Sequence, residues 1–188
     1  EWPIVTVHSS TVESVKQCLK GILKPNTIDR QLDALSDGRL SAALFASKAL
    51  VVEGPTDSAV FYGVGDRETP AKFEAAGLAV VPAYNKNSVP LAHAVLTSLG
   101  IPSYAVFDAD SGFEARAIEN GKEQSKIDEE KADHVAVNRK LMRYFNLAEE
   151  DFPAQTVEST AAIFGDHLEA YLASEWPEWI TSCAAVEA

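Results

Sequence analysis

The chain has 188 residues, of which 46% are hydrophobic and 23% charged, with a formal net charge of −12. That length suits one good core, or one domain with an appendage, and the proportions are those of an ordinary globular protein. No run approaches the roughly 18 uninterrupted apolar residues of a membrane-spanning helix. The acidic balance also excludes the basic footprint of a free-standing DNA-binding domain, so attraction for nucleic acid has to come from a local patch, bound cations, another domain or a partner subunit.

In chain order, residues 3–8 read as a short strand. Ser9-Ser10-Thr11, followed by Val12, Val15, Leu19 and Leu23, predicts a capped amphipathic helix that Pro25 and Asn26 break. A second helix is expected from Thr27 to Leu35, closed by Asp37-Gly38, and a short apolar helix from Leu40 to Ala46. From 48 to 110 the pattern is β-α-β-α-β. Strands are expected at Ala49–Glu53, Leu78–Pro82 and Ser103–Asp108, and helices at Asp57–Val64, Arg67–Ala76 and Val89–Leu99. Gly77 and Gly100 fall just past helices, where the left-handed C-cap conformation favours glycine. Strands alternating with helices imply a parallel sheet with right-handed crossovers.

Residues 111–126 are charged and turn-rich, and read as a loop leaving the sheet edge. A long helix follows, with Ile127, Lys131, Val135, Asn138, Leu141, Met142 and Phe145 mainly at three- and four-residue spacings. Gln155–Val157 suggests a short strand, and His167–Ala173 and Glu175–Cys183 read as helical. Cys18 and Cys183 lack CxxC spacing and read as reduced thiols of a cytoplasmic protein, with a disulfide between them as the alternative that no spacing supports. The chain begins at Glu1-Trp2-Pro3 without Met, which reads as an excised or processed piece. The division expected is a lead-in over 1–47, an α/β core over 48–112, and a loop and helical part over 113–188.

Two apolar runs end abruptly in carboxylates: Ala49-Leu50-Val51-Val52-Glu53-Gly54-Pro55-Thr56-Asp57 and Ser103-Tyr104-Ala105-Val106-Phe107-Asp108-Ala109-Asp110. In open α/β sheets ligands sit at the carboxyl ends of the strands. Glu53, Asp57, Asp108 and Asp110 are therefore expected at one sheet edge, where crowded carboxylates repel one another unless a cation neutralises them. Oxygen-only ligands suit Mg²⁺ or Mn²⁺, and two such ions roughly 4 Å apart serve phosphodiester displacement. Asp57 also reads as a plain helix N-cap. The alternation of Asp108-Ala109-Asp110 points both carboxylates to one face if the strand continues. No GxxxxGK[ST] phosphate loop is present. His8, His93, His134 and His167 have no ligand-like spacing, and Ser58 and Thr56 lack an obvious His base.

Glu-Gly at a strand end followed about 55 residues later by Asp-x-Asp resembles the Toprim signature. The wording from Leu44 to Asp57, Ala83-Tyr84-Asn85-Lys86-Asn87-Ser88-Val89-Pro90, and Gly100-Ile101-Pro102 is similar to the Toprim domain of OLD-family (overcoming lysogenization defect) ATP-dependent endonucleases. The resemblance covers residues 40–112 and is looser over 126–180. It implies a Rossmann-like parallel sheet flanked by helices, with a helical C-terminal appendage, carrying a two-metal DNA endonuclease or nickase. Glu53 then corresponds to the family's glutamate, as metal ligand or general acid/base. Asp57 corresponds to the added acid on the next helix, and Asp108 and Asp110 to the metal-binding pair. Later acids join in the family; Glu158 and Glu169 are the candidates here, and both also read as solvated surface charges. The resemblance further implies DNA as partner and an N-terminal ATPase domain through which ATP acts; a homodimer is left open by the sequence.

The sequence departs from the family at two places. Tyr84-Asn85-Lys86-Asn87-Ser88 replaces a Gly-Gly-Lys-Ser-Asn turn. Asn85 is expected to take its left-handed residue, and Lys86 either contacts the scissile phosphate or is a solvated loop lysine. The catalytic lysine that the resemblance implies in the C-terminal part has no counterpart, since no Lys follows Lys140. Two other readings stand beside the nuclease. One is a non-catalytic Toprim module that binds DNA or a partner protein. The other is a haloacid-dehalogenase-type phosphatase using Asp108-x-Asp110, in which Gly112 takes a place usually held by Thr or Val and Glu53-Gly54 goes unexplained.

Overall fold

The computed structural model describes residues 7–36, 40–179 and 181. The strand read over 3–8 falls largely outside them, with Val7 and His8 in no strand, and Asp37, Gly38 and Cys183 also lie outside. The elements in order are α1 (Val12–Cys18), α2 (Pro25–Ser36), α3 (Ser41–Leu44), β1 (Lys48–Val52), α4 (Pro55–Glu68), α5 (Lys72–Ala75), β2 (Leu78–Pro82), α6 (Val89–Ser98), β3 (Ser103–Asp108), α7 (Phe113–Glu119), α8 (Gln124–Tyr144), β4 (Thr156–Val157), β5 (Ala161–Phe164) and α9 (Leu168–Glu175). The strands form a five-stranded, mostly parallel sheet in the order β2-β1-β3-β5-β4, flanked by helices, which is the expected Toprim-like α/β class. The chain divides into two compact units, Glu1–Ala105 and Val106–Ala188.

In the first unit, β1 pairs in parallel with β2, from Lys48 opposite Leu78 to Val52 opposite Pro82, and with β3, from Ala49 opposite Ser103 to Val51 opposite Ala105. Val51 and Val52 are fully buried and Ala79, Val80 and Val81 nearly so. A strand flanked on both edges and covered on both faces needs such an unbroken apolar run. Helix α6 supplies Val89, Leu91, Ala92, Ala94 and Leu96 to the core, and α1 and α2 pack against it. Gly77 and Gly100 adopt φ of 66° and 76°. Each closes its helix as expected, Gly77 N–H donating to Glu74 O and Gly100 N–H to Thr97 O.

Three helix expectations in this unit need correction. Helix α1 stops at Cys18 rather than running to Leu23, and a turn follows in which Gly21 takes φ of 80°. Pro25 opens α2 instead of only breaking α1, since a proline in the first helical position forfeits no hydrogen bond. Helix α4 runs unbroken to Glu68 through Gly65, where the Phe73 ring packs so closely that an added Cβ would lie 3.1 Å from it.

In the second unit the stretch read as a loop contains α7. Phe113 and Ala117, one turn apart, bury against Ile127, with Phe152 packed alongside. Only two of its seven residues are buried, and they stand among three charged ones, so no clear apolar stripe signalled a helix in the sequence. Helix α8 buries Ile127, Asn138, Leu141 and Met142, and Phe145 stacks on Phe107 with ring centroids 5.9 Å apart. The C-terminal part is not only helical. The expected short strand is β4, and β5, which the sequence reading missed, pairs antiparallel with it, Thr156 opposite Ile163 and Val157 opposite Ala162.

Candidate functional site

Glu53 follows directly on β1 and is half-buried. Helix α4 begins two residues later with Gly54 as its N-cap. Asp57 is the third helical residue, and its Oδ2 accepts the Gly54 N–H at 2.6 Å. It is therefore not the N-cap itself but the carboxylate that reaches back to it, where the helix dipole favours negative charge. Gly54 is extended, φ −135°. Its contribution is the N–H group, and no left-handed turn is required there.

The segment after β2 leaves the sheet beside Glu53, because Ala83 N–H donates to Val52 O at 2.8 Å. Tyr84, not Asn85, takes the left-handed conformation, with φ of 67°. Asn85 is extended, and its Oδ1 accepts from the Ser88 N–H and Oγ, both at 3.0 Å. This cap winds residues 86–88 into a short 3₁₀ turn in which Lys86 is only 9% exposed. Most of the residue is therefore out of water, unlike an ordinary solvated loop lysine, with its aliphatic stem packed into the turn.

In the second unit, Asp108 ends β3 behind the buried residues Val106 and Phe107, and is half-buried. The strand stops there. Asp110 has φ of 58°, a conformation costing most L-residues roughly 1–2 kcal/mol and Asp less than most. The strand alternation that placed both carboxylates on one face therefore fails at Asp110. Its backbone is held on both sides: Asp110 N–H donates to Asp166 O at 3.0 Å, and Phe113 N–H donates to Asp110 O at 3.1 Å. Ala109 and Ser111 donate to Phe164 O and Gly165 O, tying the whole turn to the segment after β5. On the side chain, His134 Nδ1 donates to Asp110 Oδ2 at 3.1 Å.

Several residues around this turn were passed over in the sequence. Asn138, fully buried, donates from Nδ2 to Ala109 O at 2.9 Å and to Asp151 O at 2.7 Å. Asp166 accepts from Gly112 N–H at 3.1 Å and from Arg116 Nη1 at 2.5 Å. His167 Nδ1 lies 3.2 Å from Asp166 Oδ2, off the hydrogen-bond direction. Burial pushes the Asp166 carboxyl up, but the Arg116 guanidinium and the Gly112 N–H together hold it below the usual carboxylate range. Spacing alone gives no sign of Arg116 meeting Asp166. A polar Asn in the apolar stripe of α8 was the one available signal, since such a residue is buried only with partners.

Glu158 is exposed just beyond β4, with Oε1 accepting from Thr156 Oγ1 at 3.2 Å, and Glu169 is exposed on the first turn of α9. Among the described residues no three His, Cys, Asp or Glu side chains are gathered as a ready-made metal cage. The donor chemistry within each unit suits a hard divalent cation: Glu53 and Asp57 follow β1 in the first, Asp108 and Asp110 end and follow β3 in the second, and all four are half-buried oxygen donors. Asp57 and Asp110 each commit an oxygen to an N–H donor, so their carboxylates are oriented rather than free to rotate.

Residues 44–110 match the family model of the overcoming lysogenization defect protein-like TOPRIM domain. The match contains Glu53, Asp57, Lys86, Asp108 and Asp110, and falls within the stretch whose wording carries the resemblance. TOPRIM domains are metal-binding domains of the nuclease and primase kind and usually act on nucleic acids. No curated protein matches the chain.

Proposed function

We propose that this chain is the nuclease part of a larger ATPase-nuclease, hydrolysing DNA phosphodiester bonds with two Mg²⁺ or Mn²⁺ ions. The observation that supports it most is the parallel pairing of β1 with β3, two strands that each run into a half-buried carboxylate, inside a segment matching a TOPRIM model. Glu53, Asp57, Asp108 and Asp110 are the proposed ligands, with Glu158 and Glu169 as outer candidates. Bound there, the cations lower the pKa of a water and offset charge on the phosphate.

The chain's own groups then have distinct roles. Glu53 takes the proton of the attacking water. Asp108, fixed at the end of a buried strand, sets where the phosphate sits. Lys86 supplies positive charge on the β2 side of the edge. The carboxylates repel the DNA backbone until they are neutralised, so binding and cleavage both depend on cation. In this reading residues 1–47 lead in from the ATPase domain, 48–112 are the catalytic core, and 113–188 complete it. The protein is cytoplasmic, and a homodimer brings two such sites to one duplex.

A non-catalytic Toprim module is the second reading, favoured by the absence of any Lys after Lys140. Supercoiled plasmid separates the two. Nicking that EDTA abolishes and Mn²⁺ restores, with no hydrolysis of para-nitrophenyl phosphate, is the expected result. Nicking that persists in EDTA contradicts the metal-dependent reading, and phosphomonoester hydrolysis in its place favours the phosphatase.

A further inference from the structure

We propose that His134 is a positioning residue of this site: its imidazole fixes the rotation of the Asp110 carboxylate so that it is preset to receive a divalent cation. The proposal rests on the metal-centre reading above and adds to it a residue outside the matched segment 44–110.

His134 and Asn138 are four residues apart on α8 and so share a face. Both hold the turn that carries Asp110. Asn138, fully buried, grips the backbone one residue earlier through Ala109 O and ties it to Asp151 O. His134 grips the side chain, Nδ1 donating to Oδ2 at 3.1 Å. The Phe113 ring lies 4.6 Å from the imidazole, centroid to centroid, and limits its tilt. Phe113 also donates its N–H to Asp110 O, so the residue packed on the imidazole is bonded to the aspartate the imidazole holds.

An aspartate in the left-handed conformation has left the strand, and the strand no longer sets where its carboxylate points. The bond from His134 restores that constraint from a different element. A carboxylate whose rotation is fixed gives up less freedom on binding a cation than one that turns freely. The donor must sit at the Nδ1 position. Asn places its amide nitrogen there, whereas Gln places it near Nε2 and Ala has none.

The test is a Mn²⁺ titration of the 188-residue chain, read as the rise in Tm and as free Mn²⁺ by electron paramagnetic resonance. Wild type, His134→Ala, His134→Gln and His134→Asn are compared, with Asp110→Asn as the control for the site. The expected result is Mn²⁺ affinity reduced about 10–100-fold in His134→Ala and His134→Gln, and restored in His134→Asn. If His134→Ala does not fold, His134→Gln, which fills the same space, carries the comparison. Wild-type affinity in His134→Gln overturns the proposal and leaves the metal centre standing, as does an Asn variant as weak as the Gln one. A wild-type chain whose Tm and free Mn²⁺ are indifferent to the titration removes the metal centre itself, and the positioning role with it.

Discussion

Arg116 and Asp166, fifty residues apart in the chain, form an ion pair in the space where a side chain on Gly112 would stand. A Cβ built at Gly112 would lie 2.5 Å from Asp166 Oδ2 and 2.8 Å from Arg116 Nη1. Gly112 has φ of −87°, open to any residue, so the glycine is required for room and not for conformation. Gly112→Ala is expected to destabilise the fold by about 1–3 kcal/mol, read as a lower urea midpoint at unchanged slope. The cost should shrink in an Asp166→Ala background, where the collision is relieved. An unchanged midpoint in the single variant contradicts the packing described.

Asp166 also sets a pH dependence. Its folded pKa lies below its ordinary value of 3.8, so the unfolded chain takes up the proton first as pH falls. The stabilisation is full above the unfolded pKa and is lost as pH drops through the folded one. Wild type is therefore expected to exceed Asp166→Asn in Tm at neutral pH, and the gap to close progressively below about pH 4. A gap that widens on acidification would reverse the sign of this linkage.

Asn138→Ala removes both donors to Ala109 O and Asp151 O from a fully buried position. Leaving the carbonyl of the buried Ala109 without its donor costs about 1–3 kcal/mol, and chemical denaturation reads it directly. The Ala109–Asp110 turn is expected to exchange its amide hydrogens faster in this variant, and unaltered exchange at Asp110 would mean that Asn138 does not hold the turn.

Two roles of Asp57 separate by substitution. Asp57→Asn keeps an oxygen for the Gly54 N–H but loses the charge, whereas Asp57→Ala loses both. The Ala variant is expected to cost about 0.3–1.5 kcal/mol of stability and the Asn variant little. Both are expected to weaken Mn²⁺ binding. If Asp57→Asn binds Mn²⁺ like wild type, the residue is a helix cap alone.

How much of this was legible beforehand depended on whether the cause was local. β2 and β3 were placed to the residue because uninterrupted apolar runs between turns have few other outcomes, whereas β1, read as Ala49–Glu53, runs from Lys48 to Val52 and leaves Glu53 just past its end. Gly77 and Gly100 were legible as helix stops for the same local reason. What escaped was decided by partners distant in sequence. The left-handed turn at Asp110 is set by Asp166 and His134, 56 and 24 residues away in the numbering, and Tyr84 rather than Asn85 turns because Asn85 is engaged in capping Ser88. Lys86 was singled out by its motif, but nothing in a polar loop announced that it would be buried.

The most direct test of the nuclease reading is supercoiled plasmid incubated with Mn²⁺ and either the wild-type chain or Asp108→Ala. Asp108 lies at the end of β3 and outside the Arg116–Asp166 pair, so its loss is expected to leave folding intact by circular dichroism. The account predicts Mn²⁺-dependent nicking by wild type and its loss in a folded Asp108→Ala. Equal nicking by the two proteins would contradict it.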